Sequence, residues 1–382
     1  MTEGWIAAEA DRIAAAAPEQ IERLVNVSSP SGDLAGAEAA IAVVRTMLPD
    51  TAEVERVPCS TPGHADDVVA RVRGTGEKRI VLVGHLDTVV PHTDHRPLID
   101  QGDRLVGSGS VDMKGGDVLA AGVLRALTQP GAPPFAEAAL LLVNDEEWRL
   151  VPFSHVERFA GYDACLCFEA GQLGPVGEEA VVVKRKAAGT LRVRAHGREA
   201  HSGSAPDKGV SALLALTSAA QAIAATHDPK GDDALTSVPT IFRSGDAFNV
   251  VPAAGEVIAD LRAHSEAAFE RVIEAVPQDL GGARLEAELL RRWPGMDSRT
   301  AAAPALERAA QLLGEPIHAG SRGGASDASH LAGTIPLTVD GLGPRGGGAH
   351  APHEFVLTES LARRARVALA VTAAALEAAG QG

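Results

Sequence analysis

The chain has 382 residues, 45% of them hydrophobic, 22% charged and 3% aromatic. That is a globular composition too long for one comfortable hydrophobic core, so two domains are expected. A formal charge of −15 argues against nucleic acid or an anionic membrane as partner, since either needs clustered Lys and Arg. Three cysteines, Cys59, Cys165 and Cys167, without a CxxC pair, argue against a disulfide framework and a thiolate zinc site.

Residues 1–24, MTEGWIAAEADRIAAAAPEQIERL, predict an amphipathic helix with acids in its first turns. It lacks the basic and purely apolar regions of a signal peptide, and no later run approaches 18 apolar residues, so a cytoplasmic location is expected. RIVLVGHLDTV is short, β-branched and apolar, the signature of a buried strand. The glycine-rich loop GSGSVDMKGG, the helix DVLAAGVLRAL and two further buried strands, AALLLVNDEE and DACLCFEAG, follow. Cys165 and Cys167 alternate along the second of these. Buried strands separated by helices predict an α/β fold, a mostly parallel sheet flanked by helices.

The texture changes near residue 180, where VVVKRKAAGTLRVRAHGREAH alternates apolar and basic positions like half-exposed antiparallel strands. Helix, alternating strand and helix follow (GVSALLALTSAAQAIAATH, EVIADLRAH, EAAFERVIEAV), and after RRWPGM a helix resumes with RTAAAPALERAAQLLG. The expected organisation is a catalytic domain formed by 1–179 and 293–382, with a two-layer α+β domain inserted at 180–292.

Several polar residues fall at strand ends or in the loops after them. His85 and Asp87 are two apart in GHLDT, so they share one face and Asp87 can hold the His85 ring. Asp112 in VDMKGG can bridge two metals, with Gly115 and Gly116 admitting close backbone approach, or it can cap the following helix. Asp145, Glu146 and Glu147 are adjacent carboxylates that repel unless solvated or neutralised by a cation. One neighbour can ligate a metal while another moves a proton. Glu169 ends an apolar strand and needs a partner or an exposed edge. His350 and His353 lie in the loop GGGAHAPHEF, while His92, His95, His227, His318 and His330 carry no such context. The C-terminal edge of a parallel sheet is where open α/β folds place their sites. Mixed imidazole and carboxylate donors suit catalytic zinc, cobalt or manganese better than structural zinc.

In this order, SSPSGD, GHLDTVVP, GSGSVDMKGG, NDEE, FEAG, GREAHSG, FNVVPA, GGASDASHLA and GGGAHAPHEF resemble the zinc peptidase family of aminoacylases, glutamate carboxypeptidases, acetylornithine deacetylases and succinyl-diaminopimelate desuccinylases. The likeness spans nearly the whole chain, and VDGLGPRGGGAHAPHEF is most similar to the glutamate carboxypeptidase branch. The resemblance implies two Zn2+ per chain, with His85 and Glu169 on one, Glu147 and His350 on the other, and Asp112 bridging. It implies Asp87 as the residue orienting His85 and Glu146 as general base and acid. It also implies that His201 polarises the scissile carbonyl of a partner subunit's substrate, with Asn249 and Arg262 binding substrate. The inserted domain would form a homodimer.

The expected reaction is hydrolysis of an amide beside a carboxylate, in a dipeptide, a peptide C-terminus or an N-acyl amino acid. Two departures from the family pattern leave substrate choice open: Trp148-Arg149-Leu150 replaces a small Gly-Ser segment, and His353 stands where an acidic or amide residue is commoner. The competing expectations are an inactive relative that serves as a binding subunit, and a one-metal amidohydrolase acting on an unusual amine.

Overall fold

The apolar run RIVLVGH has no polar alternation, which commits it to burial on both faces. In the computed structural model, which describes residues 2–377, it forms the strand Arg79–His85, buried from Ile80 onward. It lies between Glu137–Val143 and Ala164–Cys167 and runs parallel to both. Thr338–Val339 continues the parallel part. At the other edge Asp67–Arg73 and Glu53–Val57 are antiparallel additions, completing six strands. The sheet is therefore mostly parallel, as expected, and its parallel part carries the site.

Helix Thr2–Val25 buries Ile6, Ala10, Ile13, Ala17, Ile21 and Leu24, a three-to-four-residue stripe. Helices Thr2–Val25, Gly115–Ala126 and Ser360–Glu377 pack together, with Arg299–Leu313 beside the last. Each of the larger aliphatic side chains in that stripe contributes roughly 1.5–3 kcal/mol by leaving water. No helix among the described residues is long and apolar enough to cross a membrane.

The glycine-rich segment after the first parallel strand is not an open loop. Residues Ser110–Lys114 form a kinked turn, with Asp112 and Met113 off helical geometry and a cis peptide between them, that leads into helix Gly115–Ala126. Lys114 occupies the helix N-cap and no side chain caps it. Asp112 is therefore not a capping residue, and its carboxylate is free for another use.

Two compact units make up the chain, one of Met1–Lys184, Asp297–Ser321 and Ser326–Gly382, the other of Arg185–Met296 with Arg322–Ala325. The second unit has its own five-stranded antiparallel sheet, ordered Thr236–Ser244, Ala254–Ala263, Ala187–His196, Ala283–Trp293 and Asp279–Leu280. Helices Ala212–Ala225 and Phe269–Ala275 bury Leu216, Ile223, Phe269 and Val272 in a core shared with Leu191, Val193, Val257 and Leu261.

Candidate metal centre

Three adjacent parallel strands end at the same edge of the first unit's sheet. His85 is the last residue of its strand, Asp145, Glu146 and Glu147 follow Val143, and Glu169 follows Cys167 by two residues. Beyond the ladder the backbone is released from pairing, so side chains from neighbouring strands converge there. The Ser110–Lys114 turn brings Asp112 to the same place. His350 arrives from the glycine-rich loop with φ of 65°, a left-handed backbone uncommon for a residue with a side chain.

Five of the residues singled out in the sequence meet. His85 Nε2 lies 3.2 Å from Asp112 Oδ1 and 3.7 Å from Glu169 Oε1. His350 Nε2 lies 3.2 Å from Asp112 Oδ2 and 3.1 Å from Glu147 Oε2. Two donor groups result, His85–Asp112–Glu169 and Asp112–Glu147–His350, each with its donor atoms within 4.8 Å of one another, and they share Asp112. Glu147 Oε1 is buried without a hydrogen-bond partner, a costly state for a carboxylate unless a cation stands beside it. The donor set thus fits one metal ion in each group. His353 is in neither.

The charges record how crowded the cluster is. Burial would depress the His85 imidazole, but its hydrogen bonds to Asp112 and Asp87 outweigh that and hold it well above its ordinary value. Hydrogen bonds to Asp112 and Glu147 push His350 up to about 10. Burial would raise the half-buried Asp112, yet hydrogen bonds from the two imidazoles hold it well below the usual carboxylate range. Burial raises Glu146 strongly, and Glu147 in the same direction.

Asp87 does two jobs at once. His85 Nδ1 sits 3.1 Å from the Asp87 carbonyl and 3.4 Å from Asp87 Oδ1, which turns Nε2 toward the carboxylates. The Asp87 carboxylate also accepts the backbone N–H groups of Glu146 and Glu147, both at 3.2 Å. It therefore ties the His85 strand end to the turn that bears the acids. Asp145 faces away from them, accepting from Thr61 N (2.9 Å), Thr61 Oγ1 (2.6 Å) and Arg149 Nη1 (2.8 Å).

The sequence profile of peptidase family M20/M25/M40 matches residues 81–374. The chain belongs to this family. It is a metallohydrolase acting on amide or peptide bonds. Carboxypeptidase G2 of Pseudomonas sp. (strain RS-16) is 25% identical over 362 residues, covering 90% of this chain and 85% of that protein. A succinyl-diaminopimelate desuccinylase of Methylobacterium nodulans is 27% identical over 230 residues, covering 55% of this chain and 57% of its own. A solved tripeptidase from Staphylococcus aureus superposes with a TM-score of 0.76 at 19% identity, covering 96% of this chain and 99% of that one; at that identity the likeness is one of fold.

Three residues of this M20/M25/M40 peptidase lie in its second unit. His201 pairs as an isolated bridge with Val250, and the Asn249 carbonyl accepts Ser202 N at 3.0 Å, so His201 and Asn249 are neighbours. His201 Nδ1 accepts the N–H groups of Gly203 and Ser204, both at 3.1 Å. Arg262 is already engaged: its Nε and Nη2 grip Asp260 at 3.0 Å each.

Two residues of the peptidase's first unit escaped the sequence reading. Glu354 is 2% exposed and accepts the N–H groups of Gly109, Val111 and Asp112 at 2.9, 2.8 and 2.9 Å. Burial raises its carboxyl to about 7 against the pull of those N–H groups. Its only signal in the sequence was an acid directly after HAPH. Asp327, in GGASDASHLA, is buried and paired with Arg149, whose guanidinium also lies 4.7 Å over the Phe153 ring. Between exposed Trp148 and Leu150, Arg149 is fully buried, so the departing tripeptide inserts a cation into the core and leaves its apolar members outside.

Proposed function

We propose that this chain uses two zinc ions to hydrolyse an amide bond beside a substrate carboxylate, as in a peptide C-terminus, a dipeptide or an N-acyl amino acid. The observation that carries the reading is the pair of donor groups sharing Asp112. His85 and Glu169 would hold one ion, Glu147 and His350 the other, and Asp112 both. Bound there, the ions would supply Lewis acidity, making water nucleophilic near neutral pH and withdrawing charge from the scissile carbonyl. Three ligand carboxylates against two dications bring the site near electrical balance.

The chain's own groups do the rest. Glu146 is mostly buried beside the ligands, and burial makes its carboxylate a stronger base than a solvated one. It would take the proton from the attacking water and hand it to the leaving nitrogen. Asp87 keeps His85 Nε2 facing the ligand position. Because His201 Nδ1 accepts two N–H groups, the neutral ring carries its proton on Nε2, the donor that a developing oxyanion requires. Asn249 and Arg262 would bind substrate, whose carboxylate would displace Asp260 from the Arg262 fork. Similarity to a relative named carboxypeptidase G2 over 90% of the chain supports a substrate of this class.

A homodimer built on the second unit belongs to the same reading. Strand Thr236–Ser244 is an unpaired sheet edge with Val238, Ile241 and Phe242 exposed, and Leu214 is exposed on helix Ala212–Ala225. An uncovered apolar edge strand is a liability that a second copy would remove.

Metal analysis tests the central claim. Purified protein should carry two zinc ions per chain, lose hydrolysis of N-acyl amino acids and dipeptides on chelation, and regain it with zinc or cobalt. Full activity after exhaustive chelation, or one ion per chain at saturating zinc, would overturn it.

A further inference from the structure

We propose that Glu354 is the positioning residue that sets the spacing of Asp112 and His350 before any metal binds. The inference rests on the two-metal reading above and adds a residue to it. Glu354 Oε1 accepts Val111 N and Asp112 N, while Oε2 accepts Gly109 N. Its main chain is tied to the same segment, because the Glu354 carbonyl accepts Gly107 N at 3.0 Å. The next residues, Phe355–Leu357, pair antiparallel with Arg104–Val106. On its other side the chain turns back through Ala351 N to Gly348 O at 2.8 Å and Glu354 N to Ala351 O at 3.1 Å, with His350 inside that turn. One buried side chain thus clamps the turn bearing Asp112 onto the loop bearing His350.

The choice of a carboxylate is informative. A further negative charge beside Asp112 is electrostatically unfavourable, so packing alone would favour a neutral side chain. Three N–H groups aimed at both oxygens explain it, because a carboxylate accepts at either oxygen. A glutamine offers one acceptor oxygen and would set its own N–H against Gly109 N or against the Val111 and Asp112 pair. Groups that orient metal ligands typically govern about 10–100-fold in metal affinity.

The test is a Zn2+ titration of the metal-free protein against a chromophoric chelator, for the unmutated chain, E354Q and E354A, with the metal-free Tm measured in parallel. We expect roughly 10–100-fold weaker zinc binding in both variants, more severe in E354A, among molecules that remain folded. A merely structural role predicts a lower Tm with unchanged zinc affinity, and that result would overturn the proposal. If the unmutated chain binds no zinc, the two-metal reading falls and this inference falls with it. Should neither variant fold, amide exchange in the unmutated metal-free protein decides. Gly109, Val111 and Asp112 should already be protected, whereas fast exchange that slows only on adding zinc would show that Glu354 does not preset the site.

Discussion

Asp145, Glu146 and Glu147 are consecutive, yet each meets a different environment, and that is how three adjacent carboxylates coexist. Asp145 is paired with Arg149 and accepts hydrogen bonds from Thr61, Glu146 is left in a dry position that raises it, and Glu147 points one oxygen at His350 and buries the other. Replacing Glu146 by Gln keeps shape and removes the proposed base. Turnover should fall about 10²–10⁴-fold while zinc content per chain stays unchanged, and a fully active variant would refute the assignment. Arg149 is the counterpart in stability. Arg149→Ala leaves Asp145 and Asp327 buried without their cation, so urea denaturation should show a loss of about 3–5 kcal/mol, as for a buried pair stripped of one member. A loss below about 1 kcal/mol, the range of an exposed pair, would mean that water reaches these groups.

At the scale of elements, the site depends on how closely helix Gly115–Ala126 approaches the strand ends. A Cβ on Gly116 would stand 1.9 Å from the Phe168 carbonyl oxygen, one residue before Glu169. Gly116→Ala must therefore push the helix and the Glu169 segment apart. We expect weakened zinc binding in the His85–Asp112–Glu169 group with the Asp112–Glu147–His350 group less affected, resolved as two separated steps in a zinc titration. A single unchanged isotherm would show that the contact relaxes without moving Glu169. The sequence already pointed to Gly115 and Gly116 as places of close approach, because glycine pairs before a helix have few other uses. It could not say what approached, since Phe168 lies more than 50 residues away in the chain. The turn Ser110–Lys114 was likewise illegible: nothing in GSGSVDMKGG distinguishes an open loop from a kinked turn fastened by an acid 242 residues distant.

At the scale of the whole molecule, each unit has its own hydrophobic core, so changes on the second unit's surface should spare the metal centre. Ile241→Lys with Phe242→Glu places charges on the exposed edge strand. The doubly substituted chain should run as a monomer by light scattering, retain two zinc ions and lose most of its turnover, as expected if His201 is supplied to a partner's substrate. A monomer with full activity would remove His201 from the mechanism in trans, and an unchanged dimer would place the interface elsewhere.

What the sequence by itself determined were the features encoded within short windows. Unbroken apolar runs specified buried parallel strands, alternation specified the antiparallel second sheet, and residues at the ends of those runs supplied His85, Asp87, Glu146, Glu147 and Glu169 as candidates. Burial periodicity and strand ends are local properties, readable over ten residues. Those windows left open which of these side chains share a space; the family resemblance implied a grouping, and the tertiary structure brought the side chains together. It joined Asp112 to both histidines, gave Asp87 the backbone of the acid turn to hold, and turned Arg149 inward between two exposed apolar neighbours. It also set Glu354 under the Asp112 turn. Those pairings join segments far apart in the chain, and their geometry follows from packing and from satisfying buried polar groups, neither of which leaves a mark on local composition.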